Sequence, residues 1–162
     1  MPACPLSSFL ETPIFFLTVQ VRFGLPVLGD AEAHAILRDA WLRSAVRDHW
    51  FVGQYRVLPD RVTLLACPGR AAQPVNAWVA VWKAVAAVRI KQVTGGHGPL
   101  WEFGAPPEPV VSVADYEARC AALRAEPVGL DQAGAFVTGG TGGMLWQLRS
   151  AGLPASVPAM AR

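Results

Sequence analysis

Val57-Leu58-Pro59-Asp60-Arg61-Val62-Thr63-Leu64-Leu65 reads as the turn of a β-hairpin. Trp50 to Leu58 is rich in aromatic and β-branched residues, Pro59-Asp60 breaks it, and a third strand resumes from Arg61 to Cys67. Strands joined by so short a turn are antiparallel neighbours, which places an antiparallel pair at the middle of the chain. Side chains two apart on a strand share a face, so Arg61 and Thr63 stand together on one side. Two imidazoles at such positions would hold one divalent cation. Arg61 and Thr63 cannot take that role, since a guanidinium has no lone pair to donate and a hydroxyl is a weak ligand.

Around this stretch the composition sets bounds. At 162 residues and 52% hydrophobic content, the chain suits one domain with a real core. Its net charge of +2 argues against a polybasic nucleic-acid coat, while leaving room for a local basic patch. Cys4, Cys67 and Cys120 are odd in number and widely spaced, the pattern of buried thiols in a reducing cytoplasm. Residues 1–13 lack the basic and apolar regions of a signal peptide. The apolar stretch from Val75 to Ile90 is shorter than a bilayer span and carries Asn76, Lys83 and Arg89, so a soluble, cytoplasmic protein is expected.

Upstream, Ile14 to Phe23 alternates as a strand, with Phe15, Leu17, Val19, Val21 and Phe23 on one face and Thr18, Gln20 and Arg22 on the other. Asp30 is a good N-cap for a helix reaching about Val46, with the stripe Ala33, Ile36, Leu37, Ala40 and Trp41. Downstream, a helix spans roughly Val75 to Val93 before Gly95-Gly96, and its inward residues read as Trp78, Val81, Trp82, Val85 and Val88. A Gly/Pro loop follows, interrupted by a short apolar piece around Leu100 to Phe103. The last helix starts at Ser112, helped by Asp115 as an imperfect capping box, and stops before Pro127. Residues 1–132 then form the folded domain and residues 133–162 a Gly/Ala/Pro-rich C-terminal tail, with one short element at Met144 to Arg149.

This order fits an α+β, ferredoxin-like sandwich: an antiparallel sheet with helices packed on one face. With the apolar sides turned to the helices, the open side carries Thr18, Gln20, Arg22, Gln54, Arg56, Arg61 and Thr63, with no acidic residue among them. Trp50 is the one aromatic expected there, as a stacking partner for a base. Tyr55 falls on the apolar side of its strand and Tyr116 on a helical stripe with Cys120 and Leu123, so both read as core. His34, His49 and His97 stand apart, none paired at ligand spacing.

From about Phe15 to Val128 the chain resembles the REP-associated tyrosine transposase group of the single-tyrosine HUH transposases. Gly24-Leu25-Pro26-Val27-Leu28-Gly29-Asp30 is similar to the turn and helix start after the family's first strand, and Val57 to Leu65 to its strand of Pro-Asn or Pro-Asp, then His-apolar-His-Leu-Leu. Trp82-Lys83 resembles the Ser-Trp-Lys helix, and Gly98-Pro99-Leu100-Trp101-Glu102 the Gly-Pro-Leu-Trp-Gln segment before the catalytic tyrosine. Asp115-Tyr116 and Pro127-Val128 resemble the closing helix and its Asn-Pro-Val end.

The resemblance implies a nickase in which two histidines hold a metal against a phosphodiester of single-stranded DNA and a tyrosine attacks it. In this chain the histidine positions are Arg61 and Thr63, and Phe103-Gly104-Ala105-Pro106-Pro107 contains no tyrosine where the nucleophile is expected. The reading is a non-catalytic relative that uses no metal or cofactor and binds hairpin or single-stranded DNA through Gln20, Arg22, Gln54, Arg56, Arg61, Thr63 and Lys83. Arg61 would stand in for the lost cation by gripping phosphate. Two alternatives stay open: a protein-interaction or structural module, with the old sheet face meeting a partner or a second copy, and an active nickase with changed ligands.

Overall fold

The structure, a computed structural model, describes residues 13–125 and 141–146. Its elements are β1 (Phe15–Gln20), a 3-10 turn at Arg22–Gly24, α1 (Ala31–Arg47), β2 (Trp50–Leu58), β3 (Arg61–Pro68), α2 (Val75–Thr94), β4 (Glu108–Pro109), α3 (Val113–Ala125) and β5 (Thr141–Met144). The strands form one antiparallel sheet in the order β4-β1-β3-β2-β5. The hairpin forms as expected: Leu58 faces Arg61 across Pro59-Asp60. Both turn carbonyls are used, Asp60 O accepting from Val21 N and Pro59 O from Leu28 N, so the turn is tied to the end of β1 and the approach to α1.

Local chemistry fixes the helix ends. The Asp30 carboxylate accepts from Ala33 N at 2.7 Å and satisfies a lone donor in the first turn of α1. Gly95 ends α2 in the left-handed region at φ 69, which costs glycine no Cβ clash. At α3, Ser112 Oγ accepts from Asp115 N at 3.0 Å while the Asp115 carboxylate accepts from Val111 N at 3.1 Å, the reciprocal arrangement of a capping box displaced by one residue.

Helices α1 and α2 cover one face of the sheet around an aromatic cluster. Trp41 meets Tyr55 at 5.1 Å and Trp82 edge-on at 5.8 Å, Trp50 stacks on Trp78 at 4.7 Å, and Trp82 meets Trp101 at 5.9 Å. Each such ring buries about 150–250 Å2, worth about 4–6 kcal/mol in transfer free energy. The α1 stripe Ala33, Ile36, Leu37, Ala40 and Trp41 is buried as expected. In α2 the buried residues are Trp78, Trp82, Ala86 and Ile90, while Val85 and Val88 face outward. That helix is apolar on more than one face, so periodicity alone could not choose the side; the tryptophans, with most area to bury, set its rotation.

The third helix is the main difference from a one-sided sandwich, because α3 crosses the second face of the sheet. Arg119 lies 4.4 Å from the Phe16 ring, and Tyr116, Cys120 and Leu123 are buried. Residues 141–146, expected to be tail, add strand β5 to the free edge of β2, pairing Gln54 with Met144 and Arg56 with Gly142. Gly143 allows this closeness: a Cβ there would stand 2.8 Å from the Tyr55 hydroxyl. The apolar piece at Leu100 to Phe103 makes one bridge, Val21 to Trp101, rather than a strand. Cys67 is disulfide-bonded, which corrects the expectation of a buried thiol there; Cys120 is a free, buried thiol. The remainder of the expected tail and of the 1–132 domain lies outside the described residues.

Candidate nucleic-acid interface

Register builds the second face. Thr63 on β3 stands between Thr18 on β1 and Arg56 on β2, and Arg61 pairs with Gln20 on one side and Leu58 on the other. Under the C-terminal end of α3 this leaves a groove of about 480 Å3 lined by Phe16, Thr18, Gln20, Arg61 and Thr63 from the sheet and Ala122, Leu123 and Ala125 from the helix. Among the described residues, no acidic side chain is on that lining. Gln20 is exposed, Arg61 half-buried and Thr63 buried, so polarity is graded from the mouth inward. Arg61 is also held by an interaction within the chain.

The other expected residues are placed differently. Arg56 donates from Nε to Leu123 O at 2.9 Å and from Nη2 to Arg124 O at 2.8 Å. It supplies donors and positive charge to the C-terminal carbonyls of α3, where both are favourable. Arg56→Ala is expected to cost about 1–2 kcal/mol and to speed hydrogen exchange in α3 more than in α1. Gln54 is buried beside β5. Arg22 leaves the sheet in the 3-10 turn and lines a separate cleft. Lys83, on α2, reaches Glu102 O at 3.4 Å, and burial lowers its pKa. Trp50 is not a stacking platform: it is 1% exposed, stacked on Trp78, and donates its indole N–H to Gln73 O. The bulge between Val52 and Tyr55 breaks the simple alternation from which its face was read.

Both tyrosines are core, as expected. Tyr116 is 2% exposed, and burial raises its pKa, with Cys120 beside it adding to the effect. The Tyr55 hydroxyl lies 2.9 Å from His34 Nε2 in a hydrogen bond across α1 and β2. Burial raises the Tyr55 pKa, opposed by Arg38. Burial and then the Arg38 charge lower that of His34 from its ordinary 6.5. The folded protein therefore keeps His34 neutral where the unfolded chain takes up a proton. This contribution to stability is whole above pH 6.5 and is lost as pH falls below it. The urea midpoint of the protein should fall between pH 8 and pH 5.5 by more than that of His34→Gln.

Beyond Trp101 the chain is irregular to Pro107 and Phe103 is fully exposed, so no helix presents a side chain where a nucleophile is expected. Among the described residues no group of three or more His, Cys, Asp or Glu is arranged to hold a metal ion, and no helix is long and apolar enough to cross a membrane.

No family model matches the sequence, and no curated protein matches it. Solved structures do. A REP-associated tyrosine transposase bound to a REP hairpin superposes with a TM-score of 0.57 at 14% identity, over 72% of this chain and 67% of the other. The fold is that of a REP-associated tyrosine transposase. A protein from Deinococcus radiodurans R1 described as a transposase gives a TM-score of 0.52 at 17% identity, over 75% of this chain and 92% of its own. On the transposase fold, sequence reasoning also missed the cover of the groove and the end of β1. It did not foresee that α3 roofs the groove with Ala122, Leu123 and Ala125, small and apolar residues carrying no chemical signal. It also placed Phe23 in the buried face of β1, whereas the strand ends at Gln20 and Phe23 is 72% exposed; Gly24-Leu25-Pro26 was the signal for an earlier turn.

Proposed function

We propose that this chain is a transposase-like protein that binds hairpin or single-stranded DNA without cutting it. The groove under α3 carries the reading: a cationic guanidinium at Arg61 among the neutral polar groups of Gln20, Thr18 and Thr63, with no acidic side chain among the described residues of its lining. Arginine offers a planar fork of donors matched to phosphate oxygens. The solved relative's REP hairpin supports DNA as the partner class. Cleavage would need imidazoles where Arg61 and Thr63 stand and a tyrosine near the groove, whereas Tyr55 and Tyr116 are 3% and 2% exposed. In such a protein Arg56 would hold α3 over the site rather than touch DNA.

Electrophoretic binding to hairpin, single-stranded and duplex DNA, with and without divalent metal, tests this. Hairpin binding that weakens with salt and leaves the DNA intact is the expected result. Metal-dependent nicking would establish the active-enzyme alternative instead. A second reading, a protein-interaction module, is favoured by Val46, Val85 and Val88, which are 82%, 37% and 55% exposed on α1 and α2. Absence of hairpin binding at low salt, together with a dimer in solution, would decide for it.

A further inference from the structure

The chain from Glu102 to Pro109 stands out from the fold yet is pinned at both ends. Before it, Trp101 bridges to Val21 and donates its indole N–H to Lys83 O at 2.8 Å, and Glu102 N donates to Gln20 O at 2.9 Å. Towards its end, Glu108 and Pro109 pair with Phe16 and Phe15, and the next residue, Val110, is 3% exposed and donates its N–H to Ile14 O at 2.8 Å. Within the segment Pro107 is half-buried; the other seven residues are exposed, and Phe103 is 102% exposed.

A single exposed ring needs no explanation by itself, but this one opens a proline segment, Phe103-Gly104-Ala105-Pro106-Pro107-Glu108-Pro109. Each proline locks its own φ near about −65°, and Ala105, Pro106 and Glu108, each preceding a proline, are pushed to extended or polyproline II backbone. Polyproline II repeats every three residues, so Phe103, Pro106 and Pro109 fall on one edge at that period, and all three are exposed. A segment already extended and tied at both ends gives up little conformational freedom when a partner takes it.

Charge selects the class of partner. From Leu100 to Val111 the chain has two charged residues, Glu102 and Glu108, and no lysine or arginine. Glu108 Oε2 accepts from Arg119 Nη1 at 3.0 Å, while Glu102 is exposed. An acidic flank of this kind repels a phosphate backbone and suits a basic protein surface. A proline edge with an aromatic anchor is the ligand type of protein grooves lined by aromatic side chains.

We propose that Phe103–Pro109 is a docking segment for a second protein, a domain whose groove is lined by aromatic side chains and carries a basic residue at its rim for Glu102. Phe103 is the anchor, and Pro106 and Pro109 lie along the groove. No residue of the segment lines the α3 groove, so this surface is independent of the DNA-binding reading.

Purified SH3 and WW domains, chosen with a basic residue beside the aromatic groove, serve as probes titrated against the whole chain. At least one should bind saturably, with amide shifts in the NMR spectrum of this protein centred on residues 102–109. Phe103→Ala should weaken that binding about thirtyfold, the loss of one aromatic hot spot, and Pro106→Ala should weaken it severalfold. The Phe103→Ala melting temperature and hairpin DNA affinity should match the wild type, since the ring is fully exposed and outside the groove. No saturable binding of any probe at about 1 mM, or binding that Phe103→Ala leaves unaltered, overturns the docking segment. Loss of hairpin affinity in a folded Phe103→Ala protein overturns it as well and makes the segment a DNA contact. Wild-type protein that binds a probe but no hairpin removes the DNA reading and leaves this surface standing.

Discussion

Trp82→Ala is expected to lower the free energy of unfolding by about 3–5 kcal/mol, the range for truncating a fully buried large aromatic. Trp82 has no exposed surface and touches Trp41, Trp78 and Trp101, so its removal opens a void bordered by three rings that cannot collapse together. With total stabilities of about 5–15 kcal/mol, the variant should be marginal at room temperature. Trp82→Phe should cost far less: it keeps the ring contacts and deletes an indole N–H that, like those of Trp41 and Trp78, is buried without a hydrogen-bond acceptor. Urea unfolding of the two variants checks the pair. A Trp82→Ala effect below about 1 kcal/mol would mean that the aromatic cluster is not what holds α1 and α2 on the sheet.

Arg61→Gln should weaken hairpin DNA binding by about ten- to a hundredfold, since a hydrogen bond to a charged group contributes about 1.5–3 kcal/mol and each 1.4 kcal/mol is tenfold. The slope of log affinity against log salt should also shrink by about 0.7–0.9 for each phosphate that is no longer neutralised. Arg61→Lys should recover part of the affinity, because it keeps the charge and gives up the planar fork. Arg61 also interacts within the chain, so thermal unfolding of each variant has to accompany the titration. Unchanged affinity in a folded Arg61→Gln protein would sink the groove as the DNA site.

The sheet and its hairpin were legible because their signals are local. Pro59-Asp60 interrupts two runs of alternating pattern, and Asp30, Gly95 and Ser112 mark helix ends by their own hydrogen bonding or backbone freedom. The seven expected site residues were less legible, since alternation assigns a face but not what covers it. Arg61, Thr63 and Gln20 meet in one groove, where Thr18 joins them; Arg56 is taken up by α3, Gln54 is covered beside β5, Arg22 turns away, and Lys83 belongs to α2 on the other side of the sheet.

By itself, then, the sequence determined the antiparallel pair, the helix boundaries and the chemical character of positions 61 and 63, because those follow from residue type and spacing of two or of three to four. Only the tertiary structure decided that α3 lies over the second face, that α2 turns its tryptophans inward and its valines outward, and that β1 ends early enough to leave Phe23 exposed. Each of these is settled by which distant surfaces bury most area together, and spacing within one segment does not encode that.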